Sequence, residues 1–302
     1  MTNPKTLPLT VAIPTYRRER VLIDTLEYLL AMTPAPAEIL VIDQTEHHDP
    51  HTVDRLRALA GEDAIRWIQR AEPSIPSAMN YALLLASEDV VLFVDDDIRP
   101  EPRLLVAHLE AHEHHVDTLV AGRVIQPWEE GHDFSSSTEF RFAGLRSGWI
   151  REFMGGNFSV RRGAALSVGG FDENFVRVAY RFEAEFAHRF LASGRRIWFE
   201  PTACLHHLKD AGGGTRTFGN HLTTWRPDHA VGAYYFALRA GRWRDILIRP
   251  ARALLTKHHL RRPWFMVTTL WAEVRGLAWA LRLSANGPRY VRPPKIAAGD
   301  SA

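Results

Sequence analysis

The sequence predicts an α/β fold with a mostly parallel sheet, and three observations lead to that prediction. Short β-branched apolar segments alternate with segments whose apolar residues recur at helical spacing. The short segments are continuously apolar, as expected for strands that helices cover on both faces of a sheet. Polar residues directly follow several of them, at the strand ends where open α/β sheets bind ligands. With 302 residues, 46% of them hydrophobic, the chain can bury a large core of this kind.

The first hundred residues predict four strands, at residues 9–13, 38–43, 64–69 and 90–94. Leucines recur at helical spacing after the first strand, and Met79, Leu83 and Ala86 predict another helix before the fourth. Farther along, residues 158–160 predict a strand followed by a short helix. A longer helix is expected to begin near Tyr180 and to stop at Gly194, with residues 197–200 forming the next strand.

Composition excludes several classes of protein. The formal net charge of +2 and the pI near 8.8 do not indicate nucleic-acid binding, because acidic and basic residues nearly balance. A single cysteine, Cys204, excludes an internal disulfide and a multi-cysteine zinc site. We find neither a secretory signal nor an apolar segment of about 18 residues that could span a membrane. We therefore expect a cytoplasmic protein.

Three consecutive carboxylates, Asp95, Asp96 and Asp97, end the fourth predicted strand. Carboxylates packed this closely repel one another unless a cation neutralises them, and their hard oxygen atoms suit Mg²⁺ or Mn²⁺. The simpler alternative is a solvated acidic turn. We favour a metal site because the strand has the composition of a buried strand, which places the triplet at the ligand-binding edge of the sheet.

Three other groups of residues could take part in the same chemistry. Glu183 and Glu185 lie on the predicted helix, where one could act as a general base, although solvated helix acids are common. His206 and His207 follow a predicted strand, and either could bind the metal or be structural. The glycine-rich segment that ends in Arg216 could hold a phosphate through its backbone N–H groups and the arginine, although such a loop alone is a weak signal.

The last sixty residues are rich in arginine, with apolar and aromatic residues at helical spacing. Such an amphipathic segment is typical of helices that lie on an anionic membrane surface. Glu273 and Arg275 interrupt the apolar stretch, which argues against a membrane-spanning helix. The alternatives are a helix that packs back on the core or a contact between subunits.

Taken in order, these motifs resemble the family 2 glycosyltransferases, which have the GT-A fold. The resemblance covers roughly residues 8 to 210 and includes "VAIPTYRRER", "EILVIDQT", "VVLFVDDDIRP", "GGNFSVRRGAALSVGGFDENF" and "FEAEFAHRFLASGRRIWFEP". It implies an enzyme that transfers a sugar from a nucleotide-sugar donor to an acceptor hydroxyl with inversion at the anomeric carbon, usually with Mg²⁺ or Mn²⁺.

The resemblance also implies roles for single residues on the donor side. Pro14, Thr15 and Tyr16 resemble the loop that meets the nucleotide base, and Asp43 resembles the aspartate that binds the base or ribose. The Asp95–Asp97 triplet resembles the Asp-x-Asp motif. In it we expect Asp95 to face the ribose and to share the metal, and Asp97 to bind the metal that bridges the diphosphate, with Asp96 close to the substrate.

On the catalytic side, Gly156 and Asn157 resemble the turn beside the sugar and the acceptor. Glu183 stands at the position of the catalytic base and is preferred over Glu185, which we keep as a substrate-binding residue. His206 resembles the histidine near the metal.

The sequence departs from the family pattern at two positions. Met79 stands beside Asn80, which we expect to bind the substrate, and it occupies the position where the family commonly has an arginine that holds the nucleotide. Arg70 or Arg216 could compensate for this arginine. Phe182 replaces the acid that usually precedes the base. The Gln-x-x-Arg-Trp motif of processive members is absent, which favours transfer of a single sugar.

We therefore expect an inverting, metal-dependent transferase at the cytoplasmic face of a membrane, with a lipid-linked acceptor or a surface glycan as substrate. Residues 1–235 would form the GT-A domain, with a nucleotide-binding half to about residue 100 and an acceptor half at 101–235. Residues 236–302 would form the helical extension. Two alternatives stay open: a metal-dependent nucleotidyltransferase, and a catalytically degenerate binding protein.

Overall fold

A computed structural model describes residues 6–134, 137 and 139–291 of the protein. The described part forms a nine-stranded sheet with helices on both faces. The strands are β1 (Leu7–Thr15), β2 (Pro36–Asp43), β3 (Arg66–Gln69), β4 (Val90–Val94), β5 (Ile98–Pro100), β6 (Thr118–Ile125), β7 (Gly148–Ile150), β8 (Asn157–Arg161) and β9 (Arg196–His207). The helices are α1 (Arg20–Leu30), α2 (Pro50–Gly61), α3 (Ile75–Leu85), α4 (Leu104–His114), α5 (Arg162–Ser167), α6 (Phe182–Ala192), α7 (Ala230–Arg239), α8 (Trp243–Leu254), α9 (Lys257–Arg261) and α10 (Phe265–Ala285).

The sheet has the order β3-β2-β1-β4-β8-β6-β9-β5, and β7 pairs with β9 beside this path. Strands β1 to β4, β6 and β9 run in one direction, whereas β5, β7 and β8 run in the other. This confirms the predicted mostly parallel α/β sheet. Because β1 and β4 are parallel neighbours, the segments that follow them meet at the same edge.

Alternate residues of the central strands face two separate cores. Val90, Leu92 and Val94 of β4 pack on the side of α1, α2 and α4, whereas Val91 and Phe93 pack on the side of α3, α5 and α6. Successive side chains of a strand point to opposite faces, so a strand covered on both faces needs apolar residues at every position. This explains why these strands appear in the sequence as continuous apolar segments.

The predicted helix that carries Glu183 is confirmed as α6. Arg181, in the left-handed conformation at φ 75°, precedes its first residue. Gly194 follows the helix at φ +87°, a conformation that glycine adopts without the steric cost of a Cβ. The predicted strands at residues 9–13, 38–43, 64–69 and 90–94 correspond to β1 to β4.

The C-terminal helices join the core through α7 and α10. A Cβ on Gly276 of α10 would lie 2.5 Å from Ala230 Cβ of α7, so the two helices pack closely at this point. Residues beyond α10 return to the core, where Val291 N donates to Gly169 O at 2.9 Å. The predicted boundary between residues 235 and 236 falls inside α7, and residues 292–302 of the predicted extension, which include Arg292, lie outside the described residues. No helix in the described ranges is long and apolar enough to cross a membrane.

Candidate functional site

The guanidinium group of Arg18 lies against the aspartate triplet that follows β4. Arg18 Nε is 3.0 Å from Asp96 Oδ1, and Arg18 Nη2 is 3.1 Å from Asp97 Oδ2. All three side chains are buried. Thr15 Oγ1, at the end of β1, donates to Asp96 Oδ2 at 2.8 Å. A buried arginine therefore supplies part of the positive charge that the triplet requires.

The three carboxyl groups differ in their pKa. Burial raises the pKa of Asp96 to about 7, against the opposing effect of Arg18. The pKa of Asp95 is also raised, first by its removal from water and then by the charge of Asp97. Burial alone would raise the pKa of Asp97, but its hydrogen bond to His207 and the charge of Arg18 lower it. Ionising all three carboxyl groups is therefore unfavourable in the protein alone, and a bound cation would favour their ionised forms.

The histidine nearest the triplet is His207. Its Nε2 lies 3.0 Å from Asp97 Oδ1 and 3.8 Å from Asp95 Oδ2. Strand β5, directly after the triplet, pairs antiparallel with the end of β9 and sets Ile98 opposite His207. This pairing brings the end of β9 beside the end of β4.

His206 lies on the other face of β9, because neighbouring side chains of a strand alternate. Its Nδ1 is 2.6 Å from Glu130 Oε1 and its Nε2 is 2.7 Å from Glu101 Oε1, so carboxylates engage both ring nitrogens. The structure therefore corrects our expectation that His206 lies at the metal group: His207 holds that position.

Asp95, Asp97 and His207 form a candidate metal site. One ligand atom from each lies within 4.8 Å of the others. Two carboxylates and one imidazole suit Mn²⁺, and a bound cation would offset the burial and the charge of Asp97 that raise the pKa of Asp95. The residues present therefore fit a divalent cation, with room left for ligands from a substrate.

A pocket of about 230 Å³ opens in front of the triplet. Its walls include the predicted loop after β1, together with residues from the glycine-rich segment and from α3. They are Pro14, Thr15, Tyr16, Arg18, Gln44, Pro73, Ser74, Ile75, Met79, Asp95, Asp96, Asp97, Arg177, His207, Lys209, Gly214, Thr215 and Phe218.

The glycine-rich segment closes over Arg18. Gly214 N donates to Tyr16 O at 2.7 Å, and the backbone carbonyl of Gly212 accepts from Arg18 Nη1. Gly213 has φ +66°, and a Cβ there would lie 2.1 Å from Arg17 O. Glycine is therefore required because two backbone segments touch at this point. The side chain of Arg216 lies outside the described part of the structure, although its backbone belongs to the short 3₁₀ helix Gly214–Phe218.

A second pocket, of about 490 Å³, contains Glu183 and adjoins the first. Ile75, Met79, Asp95 and Thr215 line both pockets, so they form one cleft. Removal from water raises the pKa of Glu183 to about 7, and the charge of Asp95 adds to this effect. A carboxylate with this pKa can accept a proton near neutral pH.

Gly155 and Gly156 lie between Glu183 and the triplet. A Cβ on Gly155 would lie 3.1 Å from Glu183 Oε1, and a Cβ on Gly156 would lie 2.2 Å from Asp95 Oδ2. A side chain at Gly156 would displace Asp95. The glycine pair therefore allows the backbone to pass close to both carboxylates.

Glu185 belongs to a different environment. It is buried and forms a two-point ion pair with Arg189, with both N–O distances at 2.7 Å. Tyr290 Oη lies 3.3 Å from its Oε1. Glu185 does not line the cleft, which leaves Glu183 as the glutamate of α6 that faces it.

Three other predicted site residues are buried, form hydrogen bonds within the protein and do not line the cleft. Asp43 Oδ2 accepts from Trp67 Nε1 at 2.9 Å and lies 2.8 Å from His48 Nε2. Asn80 exchanges hydrogen bonds with the backbone of Phe171. Asn157 Nδ2 donates to the carbonyls of Arg123 and Ala203.

The two departures from the family pattern have distinct surroundings. Met79 lines both pockets, whereas Phe182 is largely buried in the core and lines only the second pocket, beside Glu183. Arg70 stacks on the ring of Tyr81, with its guanidinium carbon 3.5 Å from the ring centroid, and does not line the cleft. Sequence reasoning missed Arg18, Arg177 and Lys209. Their only sequence signal is a cation next to a predicted strand end or loop.

Comparisons with known proteins agree with this architecture. Glucosyl-dolichyl phosphate glucuronosyltransferase of Haloferax volcanii is 26% identical over 218 residues, which are 67% of this chain and 69% of that protein. The structure of GalNAc-T7 with UDP, GalNAc and Mn²⁺ has a TM-score of 0.64 and 12% identity. The match covers 90% of this chain but only 55% of GalNAc-T7.

A Pyrobaculum calidifontis mannosyltransferase, PcManGT, solved with GDP-Man and Mn²⁺, has a TM-score of 0.56 and 19% identity, with 94% of this chain and 80% of that chain covered. These structures share the GT-A fold. The model of the family described as "Glycosyl transferase family 2" matches residues 10–170, just over half of the chain. The chain therefore belongs to glycosyl transferase family 2 and is a glycosyltransferase.

Proposed function

We propose that the protein transfers one sugar from a nucleotide-diphosphate sugar to a hydroxyl group of a lipid-linked acceptor, with inversion at the anomeric carbon. The observation that carries this proposal is the single cleft that joins the Asp95–Asp97–His207 group to Glu183. One end offers cation ligands and buried charge, and the other offers a carboxylate whose pKa of about 7 suits proton transfer.

The donor would occupy the pocket in front of the triplet. Asp95, Asp97 and His207 would hold Mn²⁺ or Mg²⁺, which when bound neutralises the charge that develops on the departing diphosphate. Lys209 and Arg177 line the same pocket and add positive charge toward the diphosphate. Tyr16, whose ring is partly exposed there, offers a surface for the nucleotide base.

Glu183 would act as the general base. It lies on the far side of Gly155 and Gly156 from the triplet and faces the second pocket, so an acceptor hydroxyl there can give its proton to Glu183. With the acceptor on one side and the diphosphate on the other, a direct displacement inverts the anomeric carbon. The reaction then needs no covalent enzyme intermediate.

Two observations support a lipid-linked acceptor. The name of the Haloferax volcanii relative describes a glucuronosyltransferase for glucosyl-dolichyl phosphate. In addition, the C-terminal helices expose many large apolar side chains among their arginines: Trp243, Leu247, Ile248, Leu255, Leu260, Trp264, Val267, Leu270, Trp271, Val274 and Leu281. Exposed apolar groups mixed with cations fit an anionic bilayer surface. These groups support a peripheral position on a membrane surface, which we propose to be the cytoplasmic face.

A donor screen tests the catalytic proposal. The full chain is incubated with Mn²⁺ and a panel of nucleotide sugars, and the release of nucleoside diphosphate is measured with and without polyprenyl-phosphate glycans. We expect one donor to be consumed and E183Q to lose at least about a hundredfold in rate. The control is E185Q combined with R189Q, which removes both charges of the buried pair and leaves the cleft intact. Release of a sugar 1-phosphate instead would support transfer of the nucleotidyl group, and no turnover of any donor would support a binding protein.

Vesicle binding tests the membrane surface. The variant W264S/V267S/W271S removes three exposed apolar side chains from the start of α10, and V116S/W128S/L145S removes three exposed apolar side chains elsewhere. We expect only the first variant to lose co-sedimentation with phosphatidylglycerol vesicles. Equal binding by both variants would contradict the proposal. Point variants are preferable to truncation near residue 240, because α10 covers part of α7.

A further inference from the structure

A basic pocket of about 370 Å³ lies between α7, α8 and α10, outside the cleft described above. Five arginines line it: Arg181, Arg226, Arg242, Arg249 and Arg252. The acidic residues in its wall are Asp245 and Glu273. The pocket wall therefore carries an excess of positive charge.

The two acids do not neutralise all five arginines. Glu273 pairs with Arg249, at 2.9 Å from Oε2 to Nε, and Asp245 pairs with Arg242 at 2.6 Å. Arg252 lies 3.9 Å from Asp245 as a second, longer contact. Arg181 lies 3.8 Å from Glu152, which is outside the pocket wall. Arg226 has no ion pair among the described residues. A pocket wall with five guanidinium groups and two carboxylates offers a site for an anion with several oxygen atoms.

His229, in the wall of the basic pocket, offers a buried nitrogen atom to a ligand. The Nε2 atom of His229 is buried and has no hydrogen-bond partner within the described ranges. Burial and the nearby His221 lower the pKa of His229, so its imidazole is neutral at neutral pH and can donate or accept one hydrogen bond there. An oxygen-rich ligand would satisfy this buried nitrogen.

The basic pocket shares a wall with the pocket of Glu183. Tyr180 and Arg181 line both, and Glu183 follows Arg181 by two residues in α6. Helix α7 holds this wall closely, since a Cβ on Gly232 would lie 2.2 Å from Tyr180 O. A ligand bound in the basic pocket would thus be next to the part of the cleft that contains Glu183.

We infer that the basic pocket binds the phosphate group of the acceptor, a sugar joined through phosphate to a long-chain alcohol. This inference rests on the proposed function and deepens it, because it assigns a separate anion subsite to the acceptor. The sugar hydroxyl would face Glu183 and the phosphate would meet the arginines. The alcohol chain would then reach the exposed apolar side chains of α8 and α10.

Binding of a soluble probe tests the inference without any turnover. Citronellyl phosphate carries the phosphate on a short isoprenoid chain, and citronellol is its uncharged counterpart. Isothermal titration of the full chain gives the Kd of each. The variant R226A/R252A removes two exposed cations of the pocket, and R244A/R261A removes two exposed cations of α8 and α9 that do not line it. Thermal melting checks that both variants are folded.

We expect R226A/R252A to weaken citronellyl phosphate binding by about tenfold or more, R244A/R261A to leave it unchanged, and citronellol to bind all three proteins alike. Equal weakening by the two variants would overturn the inference, because the arginines would then act only as a diffuse positive field. The inference also fails if R226A/R252A weakens binding to phosphatidylglycerol vesicles alone, since the pocket would then serve a lipid headgroup.

The outcome of this binding experiment does not depend on the outcome of the donor screen. If no nucleotide sugar is consumed but the probe still binds in the expected pattern, the anion subsite stands and the proposed reaction does not. If a donor is consumed and the probe binds all variants equally, the reaction stands and the subsite does not.

Discussion

Arg18 and Asp97 form a buried ion pair, with Nη2 3.1 Å from Oδ2 and side chains that are 7% and 1% exposed. The same guanidinium contacts Asp96, so one arginine from the loop after β1 serves two of the three consecutive carboxylates. The aspartate triplet is therefore partly neutralised by the protein itself. A divalent cation would complete the neutralisation at Asp95 and Asp97.

Replacing Arg18 should destabilise the protein strongly. In R18M, Asp96 and Asp97 lose their buried partner, and breaking a buried pair from one side typically costs about 3 to 5 kcal/mol of unfolding free energy. Chemical denaturation measures the loss. Mn²⁺ should raise the melting temperature of R18M more than that of the wild type. R20M changes a surface arginine with 89% side-chain exposure and should behave as the wild type. Equal stability of R18M and R20M would contradict the buried pair.

Variants of His207 and His206 test which of the two histidines binds the metal. H207A removes a candidate ligand and should weaken Mn²⁺ binding by about 10- to 100-fold, as measured by titration calorimetry. H206A removes a side chain that contacts Glu101 and Glu130, both about half exposed, and should leave Mn²⁺ affinity unchanged. The reverse pattern would restore our original expectation for His206.

The pH dependence of catalysis should show the pKa of Glu183. Because the base must be ionised and its pKa in the free enzyme is about 7, kcat/KM should fall by about tenfold per pH unit below that value. Above pH 7 the rate should level off. E183D keeps a carboxylate but shortens it, so the acidic limb should remain while the rate falls. An unchanged rate at pH 5 would exclude Glu183 as the base.

A buried histidine network should make the fold sensitive to acid. His108 lies 2.8 Å from Ser159 Oγ and 2.9 Å from Asn157 Oδ1, and His112 Nε2 lies 2.9 Å from the same serine oxygen. Burial lowers the pKa of His108 to about 4 and that of His112 to about 3. Between pH 6.5 and about 4 the unfolded chain therefore binds more protons than the folded one. In this window the unfolding free energy falls with falling pH, by up to about 1.4 kcal/mol per unit for each histidine.

The variant H112L should reduce that slope by up to about 1.4 kcal/mol per pH unit, because one of the two histidines is gone. Denaturant unfolding at several pH values between 6.5 and 4.5 measures the slope. H114L changes an exposed histidine of the same helix and should keep the wild-type slope. If H112L and H114L show the same slope, acid sensitivity has another origin.

Much of the site could be predicted because its signals are local. The triplet directly follows a continuously apolar strand, so its place at the sheet edge follows from β4 and from the parallel α/β pattern alone. Glu183 likewise lies in the first turn of α6, and the residues that mark the two ends of this helix lie next to it in the sequence. The family resemblance then implied catalytic and binding roles for residues that local sequence patterns had already identified as candidates.

Other features depend on contacts between distant segments. Whether His206 or His207 meets the triplet is decided by the pairing of β5 with β9, and a shift of one residue would exchange the two. Asp43 ends β2 as predicted, yet Trp67 and His48 hold it in a buried site away from the cleft. Strands β5 and β7 are three residues each, too short for any periodicity to predict.

The sequence by itself determined the α/β class, the family, the strands before the triplet and the helix with Glu183, because each depends on apolar periodicity or on residues close together in the chain. Only the tertiary structure decided that Arg18 pairs with two aspartates of the triplet, that His207 rather than His206 faces it, and that five arginines line a pocket that shares a wall with the pocket of Glu183. These are long-range contacts, set by strand register and helix packing, and no local pattern in the chain specifies them.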